Sequence, residues 1–265
     1  MFQHIQTAVR IRTTRLFPVN MEFLSLSSPM ATITFDDFPR NAWTCGGDIV
    51  EAAGGRGTYY VSGSFWRRNI KGIEYFSERD LEEVLQRGHD IGCHTFSHDM
   101  MPELSGKEID RDLKRNLQFI QSATGIKDVS SFAYPYGGAS IRTKFKLKSR
   151  FPLCRGIEAG VNARFTDFSQ LRAVCLEEHV LKANPVSSLI EQTLKLNGWL
   201  IFLTHDVSNR PTPFGCTPAL LKETVSAIKS AGIELVSVRD ALARIRKSAP
   251  SAFKLPGREP ALQHA

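Results

Sequence analysis

The feature that most constrains this chain is a regular alternation, from Ala31 onward, of short apolar runs with amphipathic segments. The strand-like runs are "ATITF" (31–35), "GTYYVSG" (57–63), "HDIGC" (89–93), "SSFAY" (130–134), "LCRGI" (153–157), "LRAVCL" (171–176), "WLIFL" (199–203) and "IELVSV" (233–238). Helices are readable between several of them. "SERDLEEVLQRG" opens with Ser77 and Asp80 in a capping-box-like spacing and ends at Gly88, and such a box satisfies otherwise orphaned amide donors. "SGKEIDRDLKRNLQFIQSATG" repeats Ile109, Leu113, Leu117 and Ile120 and stops at Gly125. "TPALLKETVSAIKSAG" starts with Thr217 followed by Pro218 and closes at Gly232, the order expected of a helix from N-cap to C-terminus. Repeated strand–helix units call for a parallel sheet covered by helices. Eight such runs suit a closed barrel; a doubly wound open sheet is the other arrangement. One domain over residues 30–248 is the simplest organisation, with an N-terminal arm over 1–29 and a tail over 249–265.

Charge narrows the partners rather than the fold. Lys+Arg 34 against Asp+Glu 27 leaves +7, a balance that suits nucleic acid, an anionic surface or an acidic glycan. The basic residues are scattered, and the densest run, "IRTKFKLKSR" from Ile141, has the spacing of a solvated helix face. No basic–aromatic stripe, helix-turn-helix or zinc-finger pattern supports nucleic-acid binding. Five cysteines (Cys45, Cys93, Cys154, Cys175, Cys216) show no CxxC spacing and mostly border apolar stretches, as buried reduced thiols do. With no secretory h-region in the first 29 residues and no membrane span, the expected location is the cytoplasm. The Arg-rich opening reads either as a flexible arm or as a start misassigned ahead of Met30.

The chemistry sits in polar clusters that follow the apolar runs. "DD" (36–37) follows the first, "HTFSH" (94–98) the third, "PYGG" (135–138) the fourth, and "THD" (204–206) follows "WLIFL". Singly, each has an ordinary explanation: a turn or N-cap for the aspartates, an incidental pair for His94 and His98, a turn for "PYGG", a core histidine for His205. Together they fall at the C-terminal ends of parallel strands, where α/β barrels and open sheets place their active sites. His94 and His98, four apart, would project from one face of a helical turn and could share a cation. Two imidazoles and a carboxylate leave coordination positions open, the composition of a hydrolytic rather than a structural metal site.

"TFDD", "HTFSH", "FAYPYGG" and "FLTHD", in that order, resemble the polysaccharide deacetylases of the NodB-homology type, carbohydrate esterase family 4, over roughly residues 30–240. The resemblance implies a distorted (β/α) barrel of about seven or eight parallel strands. It implies removal of acetyl groups from N-acetylated amino sugars in oligo- or polysaccharides, chitooligosaccharide-like or exopolysaccharide precursors among them. It also implies a divalent metal, Zn2+ first, with Co2+ or Ni2+ as substitutes. Carried over by position, Asp36 is the catalytic base, Asp37, His94 and His98 the metal ligands, and His205 the general acid. Pro135, Tyr136 and Leu203 fall at substrate-binding positions: the Tyr136 backbone N–H at the oxyanion, Leu203 in the acetyl-methyl pocket. Asp206 or a more distant carboxylate would orient His205. A small non-sugar amide, a ureide or formamide, is the alternative substrate for the same site.

The match departs from the family in two places. Many members carry an arginine in the third motif that pairs with the base; here the position is Ala133. Arg155, after the next strand, is either the replacement or a surface or helix-contact arginine. The family's later Asp–Trp motif has no clear counterpart, and Asp167 in "RFTDFSQL" lies only in about the right region.

Overall fold

The computed structural model describes residue 14 and residues 16–248; the remainder of the expected arm and the whole 249–265 tail lie outside the described residues. The strands are β1 (Met21–Leu24), β2 (Met30–Phe35), β3 (Thr58–Val61), β4 (Asn69–Ile70), β5 (Ile73–Glu74), β6 (Asp90–Cys93), β7 (Ser131–Ala133), β8 (Leu153–Arg155), β9 (Arg164–Asp167), β10 (Val174–Cys175), β11 (Trp199–Thr204) and β12 (Glu234–Leu235). The helices are α1 (Asp48–Ala52), α2 (Glu78–Gln86), α3 (Gly106–Thr124), α4 (Ile141–Lys148), α5 (Glu178–Ala183), α6 (Val186–Leu196), α7 (Pro218–Ser230) and α8 (Val238–Ser248).

All eight runs expected as strands join one sheet, in the order β10-β11-β2-β3-β6-β7-β8, with β12 also pairing β2. Every pairing within it is parallel. The sheet curls: the segment leading into β10 bridges β8 through Arg155 and Leu171, while β10 itself pairs β11. This is the distorted barrel that the resemblance implies.

Side chains alternate across the sheet, as the period of two requires. Ile33, Phe35, Tyr59, Val61 and Ile91 face outward and are buried with Val50, Leu81, Val84, Ile120, Leu221 and Val225 of the helices. Full burial of one such side chain contributes about 1.5–3 kcal/mol. Trp199, Ile201 and Leu203 point the other way and pack with Leu153 inside the curl. Two polar pairs lie on that inner face: Trp199 Nε1 donates to Thr32 Oγ1 at 2.9 Å, and Thr34 Oγ1 donates to the Phe202 carbonyl at 2.9 Å. Gly92 is required there, because a Cβ would stand 2.3 Å from the Tyr60 ring that fills the interior.

Two sequence expectations are corrected. Residues 21–24 of the expected arm form β1, which pairs β9 antiparallel in a separate ribbon. The basic run does form helix α4, but Lys144 is buried, and its ammonium lies 2.6 Å from Asp167 and donates to the Phe17 carbonyl at 2.9 Å. A buried ammonium requires such compensation.

Candidate metal centre

Strand alternation brings the clusters together. Residues 32, 34 and 36 share the inner face of β2, 90, 92 and 94 that of β6, and 201, 203 and 205 that of β11. Asp36, His94 and His205 are therefore each the next inward residue past the end of a parallel strand. After Asp36 the chain turns sharply: Asp37 and Phe38 have φ of 62° and 56°. The turn is held from outside by Phe38, which is buried against Tyr59 and Phe76. Thr95, His98 and Tyr136 also take positive φ, at 64°, 58° and 57°. Left-handed backbone costs a non-glycine residue energy, and such positions gather at functional sites.

The His94–His98 pair does not lie on a helical turn. Residues 94–98 form a bent loop, and the two positive-φ residues, not the helical repeat, bring the rings to 4.9 Å. The loop is tied down by groups with no visible signature in the sequence. Asp112 of α3 accepts from the backbone N–H of Phe96 at 2.7 Å and of Ser97 at 3.1 Å. Thr95 Oγ1 accepts from His98 N at 3.1 Å, and Ser62 Oγ donates to the His94 carbonyl at 2.8 Å.

Asp37, His94 and His98 each offer one ligand atom, all within 4.8 Å of one another. His98 Nε2 lies 3.1 Å and His94 Nε2 3.5 Å from Asp37 Oδ1; His205 Nε2 lies 4.0 Å from Asp37 Oδ2. His94 Nδ1 meets the Ala133 carbonyl at 2.8 Å. A carbonyl only accepts, so the proton is on Nδ1 and the Nε2 lone pair faces Asp37 when the ring is neutral. Burial, against the pull of Asp36 and Asp37, keeps the His94 pKa below its ordinary value. Burial, and then His94, push His98 down to about 4. Asp37 Oδ1 is buried and has no hydrogen-bond partner. The lone pair of neutral His94 thus faces a buried carboxylate oxygen, acceptor against acceptor. A cation removes that conflict, and two imidazoles with one carboxylate are a donor set that suits zinc.

Asp36 has a different solution. Arg155 Nη2 donates to both of its oxygens, at 2.5 and 2.6 Å, and both residues are buried. Burial alone would raise the Asp36 pKa; Arg155, then His94 and His205, outweigh it and hold the carboxyl below its usual range. Arg155 is therefore neither a surface nor a helix-contact residue. Its Cα partner in the β7–β8 ladder is Ala133, so the guanidinium stands one strand over from the position where the family resemblance expects an arginine. Its Cζ also lies 5.0 Å from the Tyr60 ring, a cation–π contact.

The remaining candidates divide. His205 Nδ1 donates to the Phe214 carbonyl at 3.1 Å. Asp206 does not orient that ring; it accepts from Thr212 N at 3.0 Å and from Thr212 Oγ1, closing the 206–216 loop. Tyr136 stands beside the centre, its ring 4.5 Å from that of His98. Pro135 is buried in the turn after β7, and Leu203 is buried on β11. Asp167 is not at the site: it holds Lys144 and accepts from Asn20 N at 3.0 Å.

Residues 25–150 match the family model described as polysaccharide deacetylase. Chitin deacetylase 1 of Saccharomyces cerevisiae is 33% identical over 116 residues, 43% of this chain and 34% of that protein. The peptidoglycan-N-acetylmuramic acid deacetylase PdaC of Bacillus subtilis is 27% identical over 128 residues, 48% of this chain and 26% of that one. The chain thus spans about a third or less of the length of the curated relatives it matches. In fold it resembles a family 4 acetyl xylan esterase from Clostridium thermocellum in complex with a cobalt ion, with a TM-score of 0.54 at 21% identity, covering 81% of this chain and 90% of that one. Over residues 25–150, just under half of the chain, the similarity is to the polysaccharide deacetylase family.

Proposed function

We propose that the protein is a metal-dependent hydrolase that removes acetyl groups from N-acetylated amino sugars in oligo- or polysaccharides. The observation that carries this reading is the contrast at residues 36 and 37. Asp36 is held ionised by a guanidinium, and Asp37 faces neutral imidazoles with an unpartnered oxygen. Asp37, His94 and His98 would hold the cation, Zn2+ in preference to Co2+ or Ni2+. When bound, it supplies Lewis-acid polarisation and lowers the pKa of water.

The chain's own groups move the protons. Asp36, kept charged and in place by Arg155, takes a proton from the attacking water. His205, with Nδ1–H committed to the Phe214 carbonyl, presents Nε2 toward Asp37 and, once protonated there, gives that proton to the departing amine nitrogen. The Tyr136 backbone N–H is assigned to the developing oxyanion by the family resemblance, and its strained turn after β7 supports a pre-set position. All five cysteines are free, which supports a reducing compartment, and we place the reaction in the cytoplasm. Among the described residues no helix is long and apolar enough to cross a membrane.

Acetate release from defined N-acetylglucosamine oligomers, with and without chelator and added zinc, tests the reading. Metal-dependent release is expected. Turnover of small ureides or formamides with none of the oligomers would move the assignment to a non-sugar amidohydrolase.

A further inference from the structure

The 206–216 loop places one aromatic residue in an unusual position. Phe214 offers its carbonyl to both His205 N, at 3.3 Å, and His205 Nδ1, at 3.1 Å. The residue is 59% exposed, and its ring lies 5.7 Å from the His205 ring. The loop's own backbone, rather than burial of the ring, holds it there. Asp206 accepts from Thr212, Cys216 N donates to the Asp206 carbonyl at 2.9 Å, and Val207 bridges Cys216. Gly215 lies so close to Asp206 that a Cβ would stand 2.3 Å from its Oδ1 and 2.5 Å from its carbonyl oxygen.

A second exposed ring packs against another imidazole of the centre. Tyr136 is 58% exposed and packs edge-on against His98. His98 addresses Asp37 Oδ1 and His205 addresses Asp37 Oδ2. The two rings thus pack on imidazoles that approach the two oxygens of a single carboxylate. Aromatic faces carry negative charge density, which complements the weakly positive C–H faces of a pyranose. Pre-formed loops on a rigid scaffold are where substrate recognition resides.

We propose that Phe214 does two jobs: its carbonyl orients His205, and its ring, together with Tyr136, is a platform for the pyranose that carries the acetamide. This rests on the function proposed above and deepens it. The two jobs separate kinetically, because Phe214→Ala deletes the ring and keeps the carbonyl, whereas Gly215→Ala forces the 214–215 peptide to move.

The test uses the zinc-loaded full chain and the N-acetylglucosamine tetramer. Phe214→Ala should raise KM about tenfold with kcat within about threefold, the pattern of lost uniform binding. Phe214→Trp should keep KM within about twofold of the parent and Phe214→Leu should not, because an aryl face is what is required. Gly215→Ala should instead lower kcat more than about tenfold with little change in KM, the pattern of a misplaced proton-transfer group. Thr212→Val, a milder loosening of the same loop, should move kcat in the same direction and serves if Gly215→Ala fails to fold. Phe165→Ala, which removes an exposed ring from β9, is the control and should change neither constant. Unchanged KM in Phe214→Ala, or parental KM in Phe214→Leu, overturns the platform. Unchanged kcat in folded Gly215→Ala, or in Thr212→Val where Gly215→Ala does not fold, overturns the orienting role. A parent protein that releases no acetate from any oligomer refutes the function proposed above and the platform with it, whereas an active parent with the variant outcomes just named refutes the roles of Phe214 alone.

Discussion

Asp36 and Asp37 are neighbours in the chain and opposites in the fold. Around Asp36 the protein supplies its own cation, the buried guanidinium of Arg155, in a two-point contact. Around Asp37 it supplies three imidazoles, two with pKa values held down by burial and the third with its Nδ1 proton committed to a backbone carbonyl. Two adjacent carboxylates resist joint ionisation unless positive charge relieves them. Here one is relieved from within and the other is left for an ion from outside. Under the proposed function, that asymmetry gives the two residues different work: a fixed, charged base next to a cation ligand.

The largest expected effect is on rate. His205→Ala should lower acetate release roughly 10²–10⁴-fold, the usual range for losing a proton-transfer group, while metal content stays at the parental value. Loss of metal in that variant would put His205 among the ligands and break the division drawn above.

Next comes the Asp36 side. Arg155→Met should destabilise the fold by about 3–5 kcal/mol, because it leaves a buried charge uncompensated. Adding Asp36→Asn should return much of that loss, which denaturant unfolding would reveal. Ala133→Arg in the Arg155→Met background sharpens the point. The two positions are register partners, so an arginine on β7 should restore part of the stability and part of the turnover. No restoration would mean that the β8 position has geometry its neighbour cannot reproduce.

The smallest expected effect concerns pH. In the metal-free protein His98 titrates at about 4 rather than its ordinary 6.5. Between those values the unfolded chain binds the extra proton, so stability falls as pH drops from about 6.5 toward 4. Melting temperature should fall across that window for the metal-free protein. Zinc should raise it most at the upper end, where the imidazoles are free to bind. A melting temperature flat over the window would mean that the His98 ring is not held neutral by burial.

Legibility in the sequence followed the range of the interactions. The sheet was readable because each strand announces itself within a few residues: β-branched and aromatic runs bounded by turn formers. β1 and β9 were not, since "MEFL" and "RFTD" are short and largely exposed and become strands only by pairing with each other. The convergence of Asp37, His94 and His98 was readable from residue type and strand-end placement, although a helical repeat was the wrong reason. His94 and His98 converge through left-handed turns at Thr95 and His98, and φ is not written in a side-chain pattern. Lys144 looked like part of a solvated face because its partner, Asp167, is on another element. Arg155 could be named but not placed, because its pairing with Asp36 spans 119 positions and depends on ladder register. The acceptor that orients His205 is a main-chain carbonyl. Every residue has one, so no residue type marks it.

The central claim is that adjacent carboxylates hold different cations, and metal analysis of two matched variants tests it most directly. Zinc-loaded Asp36→Asn and Asp37→Asn would be desalted and their metal-to-protein ratio measured beside their rate of acetate release. The expected result is loss of turnover in both, with near-parental zinc in Asp36→Asn and little in Asp37→Asn. Zinc lost from Asp36→Asn and kept by Asp37→Asn would exchange the two assignments, and equal retention by both would place the ion elsewhere.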